Sequence, residues 1–170
     1  MVRTQTVIDS WKTVREDTAL AVEDFPSTEF DFKATPDLMT FGELGRHILD
    51  AGHALTGILL SGENDLSTPD FREKIGKHRL QLPEKLESPE LASELRKSME
   101  TRASELASKS DEFYSGIITR FDGQKVTRLE MLQFIKEHEL THRSQMFVYM
   151  RLKGIVPATT RRRLAKQKSA

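Results

Sequence analysis

The sequence has no cysteine. Disulfides and thiolate-bound metals are therefore excluded, and any metal would have to take nitrogen and oxygen ligands. It also lacks an excess of either charge. Lys plus Arg and Asp plus Glu both number 26, for a formal net charge of zero. Such a balance gives no overall pull toward nucleic acid or an anionic membrane. No run approaches the ~18 apolar residues of a membrane span, and Met1-Val2-Arg3-Thr4-Gln5 holds no apolar signal core. A soluble, cytoplasmic protein is the expectation. Strand-like alternation, internal repeats and low-complexity segments are also missing. The 170 residues suit one domain with a real core.

What is present is helical periodicity. The first helix is expected over about Thr4–Asp24, with the stripe Val7, Trp11, Val14, Thr18, Ala21, Phe25, and Pro26 ends it. The second runs over about Phe41–Leu60 with the stripe Phe41, Leu44, Ile48, Ala51, Leu55, Ile58. Thr40 and Glu43 have capping-box spacing, each side chain serving an orphan backbone donor, and Met39 and Leu44 suit a hydrophobic staple. A long polar connection follows, from Ser61 to Ser88, with a short helical stretch around Pro69–Arg79. Ser88-Pro89-Glu90 reads as the start of the third helix, whose stripe continues from Leu91 through Leu106 and Phe113 to Ile117. Phe121-Asp122-Gly123-Gln124 reads as a turn. The fourth helix covers about Thr127–Lys153, closed by Gly154 and Pro157. The pattern predicts an all-α four-helix bundle with a long connection between helices 2 and 3. Residues 1–157 form the domain, and residues 158–170 read as a basic, flexible tail carrying Arg161, Arg162, Arg163, Lys166 and Lys168.

Residues 138–142 read HELTH, the H-E-x-x-H pattern of zinc proteases. The rest of such a site is missing. The longer form would need Gly and His where Gln145 and Val148 stand, and Arg143 to Ala170 contains no Asp, Glu or His. No sheet is expected beside the helix. The protease reading therefore fails.

The two histidines still need a reason. At about 100° per residue, His142 lies about 20° and His138 about 60° from Ile135, the centre of the apolar face. Buried imidazoles are costly without partners. Hydrogen-bonded core histidines and a shared ion, reached from one turn apart, are both consistent with the spacing. On the second helix His47 lies about 60° from Leu44, at the edge of the inward stripe, whereas His53 falls near 180° and faces solvent. His78 sits in the polar connection. Geometry thus nominates His47, His138 and His142. Glu139 points beside this group; a helix–helix salt bridge competes with a supporting or basic role. Gln145 lies near both His138 and His142 and could orient a ligand. Arg143 turns further away, toward a carboxylate between helices. No carboxylate is expected to face the site. Leu129, Leu140 and Phe147 form a second apolar strip, to be covered by the bundle or by another subunit.

With His47 on helix 2 and HELTHRSQMFVYMRLKG on helix 4, the chain resembles the DinB / YfiT-like family. The family's last helix reads like H-x-x-x-H-R-x-Q followed by an apolar stretch and Y-x-R-x-x-G; here these are His138, His142, Arg143, Gln145, Tyr149, Arg151 and Gly154. The stretch MTFGELGRHILD and Trp11 also fit, over roughly residues 1–157. Ser144 departs from the family's frequent glycine. The resemblance implies a four-helix bundle holding one divalent ion, nickel or zinc, on His47, His138 and His142, and a homodimer. It implies a metal-dependent transferase of low-molecular-weight thiols or a thiol-dependent isomerase, acting on a small-molecule substrate; the open metal site by itself also suits a hydrolase. The alternative is a non-catalytic bundle whose ion staples helices 2 and 4 as a binding or interaction module. The residues name no catalytic group beyond the ligands.

Overall fold

The computed structural model describes residues 3–168. In chain order its elements are α1 (Thr4–Asp24), a 3-10 turn (Ser27–Glu29), α2 (Phe41–Leu60), α3 (Phe71–Gly76), α4 (Ser88–Ala107), α5 (Asp111–Ser115), β1 (Ile117–Thr119), β2 (Lys125–Thr127), α6 (Arg128–Leu152) and α7 (Ala158–Lys168). Four of the helices are long. Of these, α1 and α2 each pack against both α4 and α6.

The helix starts follow the sequence closely. Thr40 Oγ1 accepts from the Glu43 amide at 3.1 Å while the Thr40 amide donates to Glu43 Oε2 at 2.7 Å. Thr127 and Glu130 repeat this box at the start of α6, with the same two distances. At α4 the cap is Glu87, paired with Glu90, and Pro89 occupies the first turn. Gly154 ends the segment after α6 with φ of +74°, a conformation that L side chains rarely adopt.

Three segments differ from the sequence reading. The third long helix stops at Ala107 and does not reach Ile117. The Leu106 carbonyl accepts from the Lys109 amide at 3.1 Å and from the Tyr114 hydroxyl at 2.6 Å, which caps the end. Ser110 then starts the separate helix α5. Next, β1 and β2 form a small antiparallel hairpin around the Asp122-Gly123 turn, with Ile118 opposite Val126. Three-residue strands are too short to display a period of two. Finally, residues 158–168, read as a loose tail, form α7 on the flank of α1. Arg162 and Arg161 pair there with Asp17 and Asp24. Residues 169 and 170 lie outside the described part.

Two apolar clusters fill the interior. One gathers Trp11, Leu55, Ile58, Ile118, Met131 and Ile135; the other gathers Phe25, Phe41, Leu44, Ile48, Leu95, Met146 and Tyr149. Each large apolar side chain buried this fully contributes about 1.5–3 kcal/mol. Leu129 and Leu140 pack against the first cluster and Phe147 against the second, so the bundle itself partly covers that strip. Along α1 and α6 the clusters are separated by buried polar residues: Arg15, Thr18 and Glu139. The candidate site lies at this level.

Candidate metal centre

Three imidazoles meet where α2 and α6 pack. His138 Nε2 lies 3.2 Å from His47 Nε2 and 3.2 Å from His142 Nε2. One nitrogen from each ring falls within 4.8 Å of the others. The ring planes are steeply inclined, at 62° to 88°, so the rings approach through their edges and do not stack.

Neutral imidazoles alone satisfy this geometry poorly. His142 Nδ1 lies 2.8 Å from Gln145 Oε1, which makes Nδ1 the protonated nitrogen and leaves Nε2 as an acceptor. His138 Nε2 carries either one proton or one lone pair, so it cannot serve both 3.2 Å neighbours at once. A cation placed among three lone pairs resolves the conflict. Zinc–nitrogen bonds of about 2.0–2.1 Å at tetrahedral angles put the nitrogens about 3.3 Å apart. The residues fit a divalent ion, and the Gln145 contact is the kind of supporting hydrogen bond that fixes a ligand's tautomer.

Burial tunes the same groups. It pushes the His138 pKa down to about 4, and the neighbouring His142 and His47 add to the effect. Burial also lowers the pKa of His47, with a further push from His142 and an opposing pull from Asp50. Both rings are thus neutral near pH 7, with lone pairs available to a metal.

Glu139, the middle letter of the protease-like string, is fully engaged elsewhere. Its carboxylate accepts from Trp11 Nε1 at 2.7 Å, from Arg15 Nη2 at 2.8 Å and from Thr18 Oγ1 at 2.9 Å. Arg15 and Glu139 side chains are each 2% exposed, so this is a buried helix–helix ion pair. It ties α1 to α6 one residue from His138 and leaves no carboxylate oxygen free to act as a base. Arg143 pairs with Asp17 at 3.4 Å, as its direction on the helix suggested.

Two sequence readings need correction. His53 does not face solvent: it is half-buried, with Nδ1 2.9 Å from Ser98 Oγ, because α4 covers that side of α2. The site surroundings also hold a carboxylate. Asp50 lines a cleft of about 260 Å3 together with Arg46, His47, Arg79, Leu80 and Leu82. Asp50 stands three residues after His47, a spacing that places them side by side on a helix. Arg79, read as the end of a short helical stretch, lies three residues beyond the end of α3 at Gly76.

Among protein families, the DinB family matches residues 1–169. The chain belongs to the DinB family. Its fold is similar to that of a DinB-like protein, YjoA, from Bacillus subtilis, with a TM-score of 0.69 and 21% sequence identity; the match covers 88% of this chain and 92% of that one. No curated protein matches the sequence. Among the described residues, no helix is long and apolar enough to cross a membrane.

Proposed function

We propose that this DinB family member binds one divalent ion, nickel or zinc, on His47, His138 and His142, and uses it as a transferase of small thiols or as a hydrolase of small molecules. The convergence of three Nε2 atoms beside an open cleft carries this reading. An ion bound there supplies Lewis acidity, bringing the ionisation of a water or thiol toward neutral pH. The chain's own residues prepare the rest. Gln145 holds His142 in the tautomer whose Nε2 is free. Burial keeps His138 neutral. The Arg15–Glu139 pair fixes α6, and with it both of its ligands, against α1. Three protein nitrogens leave positions for a substrate, whereas a structural zinc site is usually closed by four protein ligands. A homodimer belongs to the same reading; Val148 and Leu152, 55% and 60% exposed on α6, support it.

The test is elemental analysis of protein purified without a nickel column. About one divalent ion per chain is expected, with occupancy lost in His142→Ala; unchanged metal content in that variant refutes the site. Incubation with small thiols and electrophilic acceptors is expected to show turnover that stops on chelation and returns with metal. Metal-loaded protein without such turnover favours the alternative, an ion that only joins α2 to α6.

A further inference from the structure

The cleft beside His47 has a chemical character of its own. Its wall carries two guanidinium groups, Arg46 and Arg79, one carboxylate, Asp50, and two apolar side chains, Leu80 and Leu82. We propose that this cleft receives a small monocarboxylate, held through its carboxylate by Arg46 and Arg79 while its reactive end faces the three imidazoles. The inference rests on the metal-dependent reading given above and names its substrate class.

Arg46 gives one N–H to the Pro83 carbonyl at 2.8 Å, which anchors the guanidinium at the rim. Among the described residues no protein group takes its remaining donors. Arg79 lies 3.4 Å from Asp50 Oδ2, and its side chain is 59% exposed. Guanidinium forks match the two oxygens of a carboxylate. Arg46, Arg79 and Asp50 together sum to a single positive charge, before any ion is counted. Asp50 cancels one of the two guanidinium charges, and a single carboxylate cancels the other. Leu80 and Leu82 offer the ligand's hydrocarbon part an apolar surface. Size narrows the class further: 260 Å3 corresponds to roughly nine water volumes at about 30 Å3 each, enough for a short-chain acid. Arg46 immediately precedes His47 on α2, and consecutive side chains diverge by about 100°. The carboxylate and the reacting group would therefore occupy separate points of one cleft.

Binding of 3-mercaptopropionate and of its neutral amide, 3-mercaptopropionamide, to the cobalt(II)-loaded protein tests this. The sulfur-to-cobalt charge-transfer band reports each affinity without requiring turnover. The carboxylate is expected to bind at least about tenfold more tightly, as hydrogen bonds to charged groups allow. That preference should shrink toward unity in Arg46→Gln and in Arg79→Gln, with cobalt content and far-ultraviolet circular dichroism confirming folded protein. If Arg46→Gln fails to fold, the parent protein still decides: at about 1 M salt, where the screening length falls to about 3 Å, the preference must decline. Equal affinity for the two thiols, or a preference that survives both substitutions and salt, overturns the carboxylate site while leaving the metal centre standing. If cobalt binds but neither thiol gives a band, the open centre itself fails, and the carboxylate site with it.

Discussion

At the scale of single residues, Glu139 shows how a familiar string acquires a different role. Its charge is buried with that of Arg15 and is satisfied by Trp11 and Thr18. Removing one partner of a buried pair leaves the other charge uncompensated, at about 3–5 kcal/mol. Glu139→Ala is expected to lose stability on that scale in urea denaturation; a loss below about 1 kcal/mol would show that the pair is not structural. The three histidines were legible from rotation about the helix axis and from the family resemblance. The partners of Glu139 were not, because they lie 121 to 128 residues away in the chain and spacing alone carries no such information.

At the scale of elements, Gly52 of α2 faces the Arg15 and Trp11 side chains of α1. A Cβ there would stand 2.5 Å from Arg15 Nη2 and 3.5 Å from Trp11 Cζ2. Gly52→Ala improves helix propensity by about 1 kcal/mol. It also pushes Arg15 off Glu139, and overpacking costs about 1–3 kcal/mol. A net destabilisation is therefore expected in thermal melts, and a melting temperature equal to or above the parent's would contradict the close approach. The long helices could be read from the sequence because their apolar stripes and capping boxes repeat over many residues. The end of α4 could not: the stripe from Leu106 to Phe113 and Ile117 keeps helical spacing across the break, and the stop is visible only in space, where the Lys109 amide and the Tyr114 hydroxyl both donate to the Leu106 carbonyl. α7 escaped for the opposite reason. It has hardly any apolar stripe and is held by ion pairs to Asp17 and Asp24, which lie on another helix.

At the scale of the whole molecule, burial makes the fold sensitive to mild acid. It lowers the pKa of His53 from 6.5 to about 4, and it lowers those of His47, His78 and His138 as well. A folded-state pKa below the unfolded value means that the unfolded chain takes up protons first, so stability is complete above about pH 6.5 and declines as pH falls toward about 4. Urea midpoints of chelator-treated protein should drop between about pH 7.5 and about pH 5, with a shallower drop in His53→Gln; identical slopes would remove His53 from the account. The candidate metal centre also has a topological consequence. His47 and His138 stand 91 residues apart. An ion joining them closes a loop of that length, and by the chain-entropy argument for disulfides a loop of about 100 residues restricts the unfolded ensemble by up to about 4.7 kcal/mol. The His138/His142 pair is local to one helix, so the unfolded chain retains some affinity for the ion and part of that gain is lost. A chain without cysteine would thus acquire a long-range cross-link that reductants cannot open and chelators can.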